Sequence, residues 1–162
     1  EADPDRLPEV EFTEPLKYTM DLPYARNRVW AAWTRADELA KWLCLRATVE
    51  PVVGGRYELF WNPDPSKPES DSTLGCRVLS VDPPRLLRFT WRGADEVADV
   101  MNAPDVAPTE VEVRLLPILE GTRLKISHEG WGDGEGWDRA RAWFDRAWSG
   151  ALKALRQHLS GG

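Results

Sequence analysis

The chain has 162 residues, enough for one domain with a proper core, and its 30% charged and 42% hydrophobic residues are an ordinary globular balance. With 21 basic and 27 acidic side chains the net charge is −6, which argues against a nucleic-acid binder. No apolar run approaches the roughly 20 residues of a membrane span.

Residues 1–15 are acidic and proline-rich, the composition of a flexible arm. Leu16, Tyr18, Met20 and Leu22 then alternate with polar residues and predict a half-buried strand over 16–22, which Pro23 ends. Over 24–34 the spacing turns helical, with Val29, Trp30 and Trp33 on one side. Thr34 with Asp37 resembles a capping box that starts a second short helix, burying Leu39, Trp42 and Leu43. From Cys44 the period becomes two. Leu45, Ala47 and Val49 form one face, and after the Gly54-Gly55 turn Tyr57, Leu59 and Trp61 form the next, with Phe60 breaking the polar side.

Residues 62–73 are a polar connection. A strand follows at roughly 74–81, then the turn Asp82-Pro83-Pro84. Leu87, Phe89 and Trp91 mark another strand. Residues 93–108 are a long excursion with room for a helical turn, and loops of that length often serve as lids; a mobile gate is expected here. Val111, Val113 and Leu115, then Leu124, Ile126 and His128, mark two more strands around the Glu120-Gly121 turn.

The stretch Gly136 to Leu159 reads as one long amphipathic helix. Ala140, Phe144, Trp148, Ala151, Leu155 and Leu159 stack along one face, widened by Trp137, Trp143, Ala147 and Leu152. Asp133, Glu135 and Asp138 near its start, and Lys153, Arg156 and His158 near its end, suit the helix dipole. Such a stripe must be buried, since each large apolar side chain gains roughly 1.5–3 kcal/mol on full burial. The expected architecture is α+β: one strand, two short helices, six further antiparallel strands, and the long helix covering the apolar face of the sheet.

An ordered set of residues carries a resemblance. It includes Val29-Trp30, Trp33-Thr34, Leu39 with Trp42, Gly54-Gly55 before Tyr57, Gly75, and the run Val81-Asp82-Pro83-Pro84-Arg85-Leu86. It continues with Phe89-Thr90-Trp91, Pro108-Thr109-Glu110-Val111, Gly121-Thr122-Arg123-Leu124 leading to His128, and Trp148 with Leu152 and Leu155. Over residues 16–159 this pattern resembles the START-like, or SRPBCC, superfamily with the helix-grip fold of the birch-pollen allergen. More narrowly it resembles homologues of the activator of the heat-shock-protein-90 ATPase. The resemblance implies a curved antiparallel sheet of about seven strands gripping the C-terminal helix, with a cavity between them, and a single domain over 16–160. Its members include lipid and hormone binders, polyketide aromatase/cyclases and chaperone activators, so fold alone leaves the function open.

No catalytic motif stands out. There is no Gly-x-Ser-x-Gly elbow, His-Glu-x-x-His or phosphate loop. The glycines at 130, 132, 134 and 136 follow a strand and open a helix, but Trp137 takes the place of the third glycine of a dinucleotide site, and Asp133 and Glu135 would repel a pyrophosphate. Two histidines without matched carboxylates make no zinc site, so no cofactor or metal is expected. The cysteines, Cys44 and Cys76, are too few for a disulfide framework; free, partly buried thiols in a reducing cytoplasm are expected, and no signal peptide is visible. His128 shares the inner face of its strand: the plainer reading is a hydrogen-bonded core or rim histidine, the sharper one a catalytic base.

The nine tryptophans are the sharpest clue, because indoles either fill a core or line a cavity. Tyr57, Leu59, Trp61, Phe89, Trp91 and His128 from the sheet, and Trp143, Phe144 and Trp148 from the helix, are the expected lining of a cleft. The first expectation is a binder of a small hydrophobic or aromatic molecule, with a cyclase acting through His128 or Tyr57 as a variant. The alternative is a protein-interaction module whose partner is a chaperone or other protein.

Overall fold

The computed structural model describes residues 14–161. Residues 1–13 of the expected acidic arm lie outside the described residues. The order of elements follows the periodicities. Strand β1 (Leu16–Leu22) leads to helices α1 (Arg26–Thr34) and α2 (Ala36–Trp42), then to strands β2 (Arg46–Val49), β3 (Tyr57–Phe60), β4 (Val78–Asp82) and β5 (Leu86–Trp91). A 3-10 turn (Asp95–Val97) and a single helical turn, α3 (Ala98–Met101), precede β6 (Thr109–Ile118), β7 (Gly121–Glu129) and the long helix α4 (Glu135–Ser160).

Five strands form an antiparallel sheet in the order β1-β7-β6-β5-β4, and β2 and β3 form a separate ladder. The seven expected strands are therefore present, hydrogen-bonded in two groups. The groups meet through Gly54 N–H to Val78 O (2.8 Å), Val78 N–H to Gly55 O (2.8 Å) and Tyr57 N–H to Cys76 O (3.0 Å). Gly121 opens β7 at φ +147°, where a Cβ would sit 2.1 Å from Leu22 O. Only glycine lets the β6–β7 hairpin and the end of β1 approach so closely.

The inner face of the sheet follows the period of two. Val111, Val113, Leu115, Leu124, Ile126, Leu87 and Phe89 are all buried. Helix α4 covers this face with Ala140, Phe144, Trp148, Leu152, Leu155 and Leu159. Ala151 sits half-buried beside that line rather than on it. The helix ends at Ser160, and Gly161 N–H still closes onto Gln157 O at 3.0 Å.

Two local expectations change. Thr34 does not cap α2: it belongs to the last turn of α1, where its hydroxyl donates to Trp30 O at 2.8 Å, and Arg35 alone separates the helices. All four residues of β3 are buried. Arg46 lies 4.1 Å above the Phe60 ring, and Glu58 accepts Gly75 N–H at 2.8 Å, so neither side of this strand faces open water. The first part of the long excursion, residues 93–102, is docked onto the body of the protein. Val97 and Met101, one helical turn apart, are 0% and 1% exposed; Asn102 bonds both the N–H and the carbonyl of Gly93; and Asp99 pairs with Arg139 of α4. Both cysteines are free and buried. Among the described residues no helix is long and apolar enough to cross a membrane.

Candidate ligand cleft

The cleft owes its existence to small side chains. One flank of α4 carries Ala147, Gly150, Ala151 and Ala154, spaced by three and four residues, beside the buried line. Opposite them stand the large rings of Trp42, Trp61 and Trp91. The small residues cannot reach those rings, and a cleft of about 490 Å³ remains between helix and sheet. Trp143, Phe144 and Trp148 extend the helix wall, while Asp71, Ser72, Arg92, Ala94 and Arg146 add its polar margin.

The indoles are held by their polar ends. Trp42 Nε1–H donates to Ala32 O at 2.9 Å, and Trp61 Nε1–H to Leu43 O at 2.6 Å. With these donors occupied, both rings offer carbon and π surface. Trp61 meets Trp91 edge-on at 6.1 Å, and Trp91 lies 5.8 Å from Trp148. Asp71 and Ser72 are placed by a clasp between two connections. Asp71 N–H donates to Asp95 Oδ1 (3.0 Å), Asp95 N–H donates to Asp71 Oδ1 (2.8 Å), and Ser70 Oγ donates to Asp95 Oδ2. These bonds bring the Asp95 carboxyl below its ordinary value, the Ser70 hydroxyl being the main cause. The clasp holds Asp71 at φ +45°, a backbone setting that asparagine and aspartate tolerate better than most residues.

Of the nine residues expected to line the cavity, Trp61, Trp91, Trp143, Phe144 and Trp148 meet on the cleft wall. Tyr57, Leu59, Phe89 and His128 lie instead in the closed core, each 0% exposed. The physical reason is ring-on-ring packing. Tyr57 and Phe89 stack at 3.9 Å, sealing the space between β3 and β5, and the Tyr57 hydroxyl donates to Trp33 O at 2.7 Å. Burial pushes that phenol well above its ordinary value, so it stays protonated at neutral pH.

His128 is enclosed by Trp91, Trp131, Phe144 and Trp148. Its hydrogen bonds define its tautomer. Trp148 Nε1–H can only donate, so His128 Nδ1 accepts, at 3.0 Å. The proton therefore resides on Nε2, 2.8 Å from Thr109 Oγ1, and that hydroxyl donates onward to Trp91 O at 2.9 Å. Burial lowers the pKa from 6.5 to about 3. A neutral imidazole with both nitrogens engaged is a structural pin between sheet and helix.

Sequence reading missed Trp42, Leu43, Arg92, Arg146 and the small flank of α4. The flank did have a signal: Ala147, Gly150, Ala151 and Ala154 keep helical spacing immediately beside an aromatic stripe. No group of three or more histidine, cysteine, aspartate or glutamate side chains among the described residues could hold a metal ion.

A curved antiparallel sheet gripping a C-terminal helix, with an aromatic cleft between them, defines a helix-grip protein of the START-like, SRPBCC type. The chain belongs to the family described as Activator of Hsp90 ATPase homolog 1-like protein, whose profile matches residues 23–160. Among solved structures it is similar to protein MLL2253 from Mesorhizobium loti, with 23% identity, TM-score 0.71, and 90% of this chain and 96% of that one covered. The Aha1 dimer from Colwellia psychrerythraea is 18% identical, with TM-score 0.68 and 91% and 96% covered. DynU16, from the dynemicin biosynthetic locus, is 17% identical, with TM-score 0.66, 91% of this chain and 48% of that one covered. At these identities the likeness is one of fold. No functionally curated protein matches the chain.

Proposed function

We propose that this protein binds a small, flat, hydrophobic molecule in the cleft between sheet and helix, and that it does so as a binder, with residues 16–160 acting as one unit. The observation that carries this reading is a cleft of about 490 Å³ walled by indoles and alanines. That volume falls within the usual range of small-molecule sites, about 300–1,000 Å³. An apolar cleft of π faces favours a planar partner, since a stacked pair adds about 0.5–1.5 kcal/mol beyond burial. Membership of the family and the likeness to a biosynthetic-locus protein are compatible with a ligand-handling role. The cyclase variant loses support, because His128 and Tyr57 stand outside the cleft with their polar atoms engaged.

The test is a panel of aromatic polyketides, flavonoids, sterols and fatty acids, read by intrinsic tryptophan fluorescence and thermal shift. Ligand should raise the melting temperature once it exceeds its dissociation constant. Ala151→Phe, which fills the cleft, should block binding, and Trp143→Ala should weaken it. Lys125→Ala, on the outer face of β7, should change neither. If no compound binds at high micromolar concentration, the reading fails.

A further inference from the structure

We propose that the cleft selects acidic ligands, in which a flat hydrophobic body carries one carboxylate or similar small anionic group. This rests on the binding reading above and adds the charge of the ligand. The lining divides along α4. The Asp99–Arg139 pair docks the segment after Arg92 and Ala94 on the start of α4, and the Glu38–His158 contact docks α2, which carries Trp42, near its end, so these lining residues approach Trp143 to Ala154 from opposite ends. The Asp71–Asp95 clasp fixes Asp71 beside Ala94, so every charged lining group belongs to the first end.

The charged residues of the lining are two arginines, Arg92 and Arg146, and one carboxylate, Asp71. Among the described residues neither Arg92 nor Arg146 has an ion-pair partner, as is also true of Arg26, Arg46, Arg56, Arg141 and Arg156; of these seven, Arg92 and Arg146 are the two that line the cleft. In a chain with a net charge of −6, a cleft lined by two arginines and one aspartate runs against the overall balance. Asp71 does not neutralise them both, and its Oδ1 already accepts the Asp95 N–H. Indole faces alone would also attract a cation; the balance of charge at the mouth opposes one. An anion would instead gain charge-assisted hydrogen bonds from guanidinium donors, the geometry in which arginine exceeds lysine. Its hydrophobic body would extend toward Trp42 and Ala154, where the lining has no charge.

The experiment compares three probes of one ring system on the intact protein: 2-naphthoate, 2-naphthamide and (2-naphthylmethyl)trimethylammonium. The expected order is naphthoate first, tighter than the amide by about tenfold, a difference of about 1.4 kcal/mol, with the ammonium weakest. Raising ionic strength should narrow the acid–amide gap. Arg92→Met and Arg146→Met should each reduce it, weakening the acid more than the amide, with folding verified by thermal melts. Amide or ammonium binding as tightly as the acid overturns the charge inference and leaves the cleft reading intact. A gap insensitive both to salt and to the two arginine variants also overturns it. No binding by any of the three probes overturns the cleft reading and this inference together.

Discussion

The His128 pin gives stability a pH dependence that can be calculated in advance. Folding holds this imidazole neutral, at about 3 against 6.5 for the free side chain. Between those values the unfolded chain binds a proton that the folded chain refuses, so stability rises with pH. This contribution is complete above about pH 7 and is lost as pH falls through 6.5 toward 3. At 1.36 kcal/mol per unit, the loss at pH 5 is about 2 kcal/mol. Protonation would also set an Nδ1–H against the Trp148 Nε1–H, two donors face to face. The assay is urea unfolding at pH 7, 6 and 5 for the unaltered protein and for His128→Gln, whose amide can still accept from Trp148 and donate to Thr109 without titrating. Carboxylates common to both proteins cancel in the difference. The His128→Gln curve should be flatter by about 2 kcal/mol over this range. Equal slopes in the two proteins would refute a buried neutral His128.

Trp148→Ala should cost about 3–5 kcal/mol for the lost ring, and about 1 kcal/mol or more for the orphaned His128 nitrogen; a loss below about 1 kcal/mol in chemical denaturation would place the ring at the surface. Gly121→Ala should destabilise by about 2 kcal/mol or more, because the added Cβ meets Leu22 O at a strained φ; a melting temperature unchanged from the parent would contradict that contact. The amides of Val97 and Met101, whose side chains are buried, should exchange slowly even without ligand, and fast exchange there would support a gate. Asp95→Ala should speed exchange at the Asp71 amide while leaving global stability within about 1 kcal/mol.

Periodicity made most of the scaffold legible. The alternation through Leu16 to Leu22, Leu87 to Trp91 and Leu124 to His128 appears as inward faces of paired strands. The line from Ala140 to Leu159 appears as the buried face of α4, because packing and helical pitch both act on the same residues. Depth was not legible. Parity put Tyr57, Phe89 and Trp91 on one side of the sheet, but the Tyr57–Phe89 stack closes the core there while Trp91, at the end of its strand, reaches the opening. Local rules also failed where tertiary packing chose among options. Val97 and Met101 suit a lid or a docked turn equally well in sequence, and burial against α4 decided for the turn. Arg92 and Arg146 could not be told from other surface arginines until the cleft they line was visible.

The hydrogen-bonded chain from Trp148 through His128 and Thr109 to the Trp91 carbonyl has a consequence for the rigidity of the cleft wall. It ties α4 to β7, β6 and β5 in one line, behind a wall in which the Trp91 and Trp148 rings already touch at 5.8 Å. Rotating Trp148 aside would strand a buried nitrogen, at about 1–3 kcal/mol. That wall of the cleft is therefore set by the core behind it, through one imidazole tautomer.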